Sequence, residues 1–313
     1  MTMCRILKKL RCLAAANPLV SVNLGCLADP LGFHSSLLRV SPRAVLLSLS
    51  NICNMSCEFC FNSKLPVRKN LSVEEFEIVF QKFHKTPLWV VGGLGEITCN
   101  PAHPEIIDRL RRGKKYIVAT SNCKIFSEAL LKVHELQISV DQEHIRHGGC
   151  RSVEEIFDRR GDRFFPVIKG KIVISKPLAE EMDAIIGNPL LKFVDALQFS
   201  DVHFSSSPPP EDRENFTLLT KTLKKAGITL VGGLREKRGA LSSPAECHFI
   251  KRGLLYINEF SRIQPCCDQV HNPRMYDSGG MSGYPLEAYD GKFKPFRDFS
   301  FCADCQLLKK KNS

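Results

Sequence analysis

From residue 43 onward, short apolar runs alternate with stretches whose apolar positions recur at helical spacing. That is the pattern of strand–helix units built on a parallel sheet. Residues 44–49 read as a first strand, followed by a cysteine-bearing loop. Ser72 and Glu75 form a capping box that opens a helix, with Phe76, Val79, Phe80 and Phe83 on one face. A buried strand over 88–91 follows, then a helix from Pro104 through residue 110 and a third strand over 116–119. Residues 127–133 and 136–140 supply the next helix and strand. Ser152 and Glu155 suggest a second capping box for a helix over 152–158, which leads to a strand at 170–174. A helix over 178–186 leads to a sixth strand at 194–199. The last helix, 213–225, stops at Gly227 before the apolar run 228–231, an edge strand or a link into the tail.

The rhythm ends between residues 232 and 244, where Gly, Ser, Arg and Lys take over. A domain boundary is expected there, with a main domain over 41–235 and a tail over 245–313 that contains strand-like 254–257. Residues 1–40 form an extension of unknown role. The expected fold is α/β: a partial (β/α)6 TIM-like barrel with a small, irregular, cysteine-rich C-terminal domain too poor in apolar runs to fold on a core alone.

At 313 residues with 43% hydrophobic composition, a sizeable core is expected. The net charge of +11 is spread along the chain apart from short runs such as Lys309 to Lys311, so it points only weakly to an acidic partner. Cysteine changes the picture. Of fourteen, three lie within eight residues near the front and five in the last sixty-seven, a distribution that asks for a metal. A secreted disulfide framework favours shorter chains, and Lys8, Lys9 and Arg11 interrupt any signal-peptide core. No apolar stretch is long enough to span a bilayer, so the expected compartment is the reducing cytoplasm.

Cys53, Cys57 and Cys60 sit in the loop directly after the first strand, the end of a strand–helix barrel where active sites are built. Three thiolates hold three corners of a 4Fe-4S cube and leave one iron open. Zinc, the competing reading, wants four ligands, and no His completes this loop. C-x3-C-x2-C with aromatic Phe59 before the last cysteine resembles the signature of the radical S-adenosylmethionine (SAM) superfamily. The resemblance implies a SAM-binding 4Fe-4S cluster whose open iron chelates the methionine moiety of SAM. Reductive cleavage of SAM then yields a 5′-deoxyadenosyl radical that abstracts hydrogen from substrate.

The resemblance extends over residues 46–201. Gly92, Gly93, Leu94, Gly95 and Glu96, with Pro101, resemble the family's glycine–glutamate motif, which implies contact of Gly93, Gly95 and Glu96 with the amino group of SAM. Thr120, Ser121 and Asn122 are similar to its Thr-Asn-Gly turn, although the order differs and Cys123 replaces the small residue. Ser139 and Asp141 resemble the segment that binds the ribose hydroxyls, and Arg146 sits where many relatives place an arginine near the carboxylate.

In the tail, Cys247, Cys266, Cys302 and Cys305 suffice for one complete site, zinc or 4Fe-4S by count alone. The run from Cys247 through strand-like 254–257 to Arg262, Pro265 and Cys266, and then Phe301 to Cys305, resembles a shortened SPASM domain, often called twitch. That implies a second, auxiliary 4Fe-4S cluster; Cys266 and its neighbour Cys267 remain alternative ligands. Cys4, Cys12, Cys26, Cys99, Cys123 and Cys150 are most simply small apolar residues.

The short tail is similar to that of radical dehydrogenases of aminocyclitols, which favours a small or carbohydrate-like substrate oxidised with the auxiliary cluster as electron acceptor. Modification of a ribosomally made peptide is the alternative. Peptide-maturing relatives usually carry a leader-recognition domain, which 40 residues before the first strand do not make. Gln198, Ser200, Asp201 and His203 near the sixth strand's end are substrate-facing candidates. An electron donor such as flavodoxin or ferredoxin is expected, with no membrane partner. A non-catalytic, nucleic-acid-binding metal protein explains the tail but not the front loop.

Overall fold

The computed structural model describes residues 10, 42–60, 62, 65–174, 176–201, 210–231, 254–264 and 284–289. Nine strands follow one another in the order β7-β6-β5-β4-β3-β2-β1-β8-β9, a mostly parallel sheet that does not close. β3 is Tyr116–Ser121. The described residues fall into two compact units, one of 42–54, 62, 65–118, 254–264 and 284–289, the other of 10, 55–60, 119–174, 176–201 and 210–231.

In the first unit β1 (Ala44–Ser48) pairs in parallel with β2 (Leu88–Gly92) on one side, so that Ser48 lies opposite Gly92. On its other side it pairs in parallel with β8 (Leu254–Ile257). The strand assigned to the tail is therefore part of the main sheet, and β9 (Ile263–Gln264) returns antiparallel to it. Helix α1 (Val73–Lys82) starts at the expected capping box: Glu75 N–H donates to Ser72 Oγ at 3.2 Å and Ser72 N–H to Glu75 Oε2 at 2.9 Å. Its stripe of Phe76, Val79 and Phe80 is buried. The Phe76 and Phe80 rings lie 6.2 and 5.7 Å from that of Trp89 on β2. Helix α2 (His103–Arg112) joins it through Arg109, which donates two hydrogen bonds to Glu77 at 3.0 and 2.9 Å while its guanidinium covers the Phe80 ring.

The second unit holds parallel strands β4 (Glu135–Ser139), β5 (Val167–Ile174), β6 (Ala196–Asp201) and the short edge strand β7 (Leu230–Val231). Its helices are α3 (Gln142–Arg146), α4 (Val153–Arg160), α5 (Leu178–Ile186) and α6 (Pro210–Lys225). Strand parity separates an apolar face (Leu136, Ile138, Ile168, Ile172, Leu197) from a polar one. On the polar face Gln137 pairs with Lys169, Ser139 with Lys171, and Lys171 with Gln198. A buried Lys169–Glu135 ion pair at 2.8 Å neutralises that face in its lower part.

Two sequence expectations are corrected. The helix expected over 127–133 is a five-residue 3-10 helix, Glu128–Lys132, because the link between β3 and β4 is too short to repay nucleation of an α-helix. The second capping box does not form: Ser152 makes no side-chain cap bond, since its hydroxyl donates instead to the Cys123 carbonyl at 2.7 Å. No helix among the described residues is long and apolar enough to cross a membrane.

Candidate functional site

Beyond β1 the chain turns into the cysteine loop, and in the first unit the root of that loop is built around Asn51, which is fully buried. Its amide donates to the Val67 carbonyl at 2.9 Å and to Glu259 Oε1 at 2.7 Å, and its Oδ1 accepts from Lys69 N–H at 2.6 Å. Its carbonyl accepts from Asn62 and Arg68, both at 2.8 Å. Asn100 ties two further strands of backbone together, donating to the carbonyls of Leu49 and Leu71 at 2.7 and 2.9 Å. Cys53 follows Asn51 by two residues and is half-buried.

The glycine loop after β2 docks on that same root. Gly95 N–H donates to the Ser50 carbonyl at 2.9 Å and Glu96 N–H to the Ile52 carbonyl at 2.8 Å. Close approach explains both glycines: a Cβ on Gly95 would lie 2.3 Å from the Ile52 oxygen, and one on Gly93, at φ +134°, 2.1 Å from Ser48 Oγ. Glu96 is buried, and its Oε1 accepts from Thr98 N–H at 3.2 Å and Thr98 Oγ1 at 3.0 Å. Glu259, on the turn between β8 and β9, is fully buried, and that burial raises its carboxyl above the ordinary value.

The second unit holds the other two cysteines of the motif. Cys57 to Cys60 form a turn in which Cys60 N–H donates to the Cys57 carbonyl at 3.0 Å. Helix α3 meets that turn: Glu58 N–H donates to Glu143 Oε1 at 3.3 Å, and the Phe59 and His144 rings lie 5.8 Å apart. Burial pushes the Glu143 carboxyl up, but the Glu58 N–H, His147 and Arg146 outweigh it and hold it below the usual carboxylate value. Asp141 caps α3, accepting from His144 N–H at 3.0 Å and from His144 Nδ1 at 2.7 Å. Arg146, whose side chain is exposed, donates to Glu143 at 2.9 Å.

At the end of β3 the side chains close local turns. Ser121 Oγ accepts from Cys123 N–H and Asn122 Oδ1 from Lys124 N–H, both at 3.0 Å. Cys123 is fully buried at φ +49°. The Asn122 carbonyl accepts from Cys150 N–H at 2.7 Å, and the Cys150 thiol donates to the Ser139 carbonyl at 2.9 Å. Burial, with the Asp141 charge nearby, pushes that thiol up to about 12, so Cys150 is a structural SH rather than a nucleophile.

Gln198 is half-buried on the polar face of β6; the side chains of Ser200 and Asp201, and all of His203, lie outside the described residues. So do Cys247, Cys266, Cys267, Cys302 and Cys305. The braces Asn51, Asn62, Asn100, Glu143, His144 and Glu259 escape sequence reasoning, because polar residues in loops follow no period. Three thiols on one loop suit an iron–sulfur cube chemically. Among the described residues no three His, Cys, Asp or Glu are grouped to hold a metal ion. The grouping of such ligands is coupled to binding the metal.

Fold and loop together define a class: an open parallel α/β sheet with a three-thiol loop beyond its first strand. No protein-family model matches the chain. It is 28% identical over 185 residues to the sporulation killing factor maturation protein SkfB of Bacillus subtilis, an alignment covering 52% of this chain and 43% of that protein. The chain thus spans less than half the length of the curated relative it matches. Among solved structures, SuiB of Streptococcus suis bound to its precursor peptide SuiA superposes with a TM-score of 0.59 at 13% identity, covering 86% of this chain and 70% of that one. SuiB bound to S-adenosylmethionine gives 0.55 at 13%, covering 77% and 68%, and anSMEcpe with bound AdoMet 0.51 at 16%, covering 72% and 74%. The open parallel sheet is thus similar to that of these solved structures, and the chain is similar over about half its length to the SkfB protein.

Proposed function

We propose that this chain is a radical SAM enzyme that modifies a peptide. The observation that carries the radical SAM reading is the C-x3-C-x2-C loop directly after β1, with the Gly93 to Glu96 loop hydrogen-bonded to its root. Cys53, Cys57 and Cys60 would hold a 4Fe-4S cluster. When bound, the cluster and SAM supply the electron and the carbon radical needed to abstract hydrogen from a substrate. Glu96 would accept from the ammonium of SAM, its carboxylate held in place by Thr98. Gly93 and Gly95 let the loop reach the cluster-loop root, and Phe59, Ser121, Asn122, Ser139, Asp141 and Arg146 would line the remainder of the SAM site. Cys247, Cys302 and Cys305, with Cys266 or Cys267, would hold the auxiliary cluster.

Sequence alone leaned towards a small or carbohydrate-like substrate. The relative at 28% identity is named for maturing a killing factor, and the superposed SuiB and anSMEcpe structures have peptides bound, which favours the peptide reading. An electron-donor protein and a cytoplasmic location belong to the same proposal.

The test is an anaerobic preparation assayed for iron, sulfide and, after reduction with SAM, 5′-deoxyadenosine. Wild-type yields from the Cys53→Ala/Cys57→Ala/Cys60→Ala variant would sink the radical SAM reading. Replacing Cys302 and Cys305 should remove about four irons per chain. Co-expression with short peptides encoded beside the gene should change the mass of one of them. Turnover of a sugar or cyclitol with every peptide unchanged would instead return the reading to a small substrate.

A further inference from the structure

In the turn formed by residues 57–60 neither central residue, Glu58 or Phe59, has positive φ, and the closing bond uses only Cys60 N–H and the Cys57 carbonyl. The amide of the second residue of such a turn has no acceptor within it and must find one outside. Glu143 Oε1 is that acceptor, at 3.3 Å. Glu143 is 8% exposed, a costly place for a charge unless it is well bonded. Arg146 Nη1 at 2.9 Å and His147 Nε2 at 2.8 Å supply the remaining bonds.

The next residue of the turn is engaged by the next residue of the helix. Phe59 lies against the His144 ring, and that ring is oriented by Asp141 through Nδ1. Consecutive turn residues 58 and 59 are thus met by consecutive helix residues 143 and 144. The side chain of Glu58 is not involved; α3 reads its backbone.

We infer that Glu143 is a positioning residue for the Cys57–Cys60 turn, acting through the Glu58 amide with His144 as buttress. This rests on the reading of Cys57 and Cys60 as cluster ligands. Asp141 and Arg146, which the family resemblance assigns to SAM, serve this brace in their hydrogen bonds to His144 and Glu143. Outer-shell partners of a metal ligand matter because they hold the ligand's geometry.

The test uses the full chain, reconstituted anaerobically, with three variants. Glu143→Ala removes the acceptor, and Glu143→Gln keeps an oxygen that accepts. Glu58→Pro removes the N–H at a turn position where proline is favoured. At equal iron content and equal melting temperature, Glu143→Ala and Glu58→Pro should lower 5′-deoxyadenosine formation about tenfold or more. They should also alter the change that SAM produces in the electron paramagnetic resonance spectrum of the reduced protein, a readout that loosened packing elsewhere would not move. Glu143→Gln should restore both. Wild-type rates and spectra in Glu143→Ala and Glu58→Pro, or a Glu143→Gln variant no better than Glu143→Ala, would overturn the inference. If Glu143→Ala does not fold, Glu58→Pro decides, because it leaves the carboxylate with Arg146 and His147. Failure of the cluster reading shows separately, as unchanged iron in Cys57→Ala/Cys60→Ala.

Discussion

Two regions of this chain hold parts of one cysteine motif, and they do so with different chemistry. Beside Cys53 the braces are chiefly amides: Asn51, Asn62 and Asn100 give and accept directional bonds with backbone, and the Glu259 carboxyl that Asn51 bonds is pushed up by burial. Beside Cys57 and Cys60 the braces are Asp141 and Glu143, partnered by His144, Arg146 and His147. A neutral amide brace is insensitive to charge but exacting in shape, because each truncated amide strands a buried backbone group. A carboxylate brace tolerates small displacements, since charge-assisted bonds are stronger, and it sets fixed negative charge near a turn.

The largest expected effect lies in the amide region. Asn51→Ala would leave Lys69 N–H, the Val67 carbonyl and Glu259 short of a partner, so a loss of about 3 kcal/mol or more is expected in denaturant unfolding. A loss within about 1 kcal/mol would mean that water replaces the amide, and the contrast in exactness would fall.

Gly95→Ala should follow, at about 2 kcal/mol by the same measurement, because the added methyl meets backbone rather than a yielding side chain. In the carboxylate region Asp141→Ala should cost about 1–2 kcal/mol, and Asp141→Asn, which keeps the cap of α3, only a few tenths. Equal losses in the two would show that charge, not capping, is what Asp141 contributes.

A further effect, confined to alkaline pH, concerns titration. The Cys150 thiol, raised from 9.0 to about 12, is protonated longer in the folded chain than in the unfolded one. Its contribution to stability is therefore complete below pH 9.0 and is lost as pH rises towards about 12. The first unit of that rise should cost about 1 kcal/mol. Melting curves of wild type against Cys150→Ala across that range should converge; parallel curves would remove the burial argument.

Much was legible in the sequence because it is local or periodic. The apolar stripe Phe76, Val79, Phe80 predicted α1, the Ser72–Glu75 box predicted its start, and Leu178–Ile186 appears as a helix with the expected bounds. The spacing of Cys53, Cys57 and Cys60 suggested the proposed cluster chemistry without coordinates, since cluster ligation depends on ligand type and separation along one loop. Tertiary structure decided what depends on residues far apart in sequence. Leu254–Ile257 joined β1 rather than standing apart, because an apolar edge such as β1 needs a partner strand. The Ser152 hydroxyl left its own helix for the Cys123 carbonyl, which also accepts from Ser152 N–H. Asn51 found Glu259, 208 residues away, and Glu143 found the Glu58 amide, 85 residues away. Periodicity records which side of an element is buried, whereas a polar group's partner is whatever the folded backbone brings within 3 Å or so.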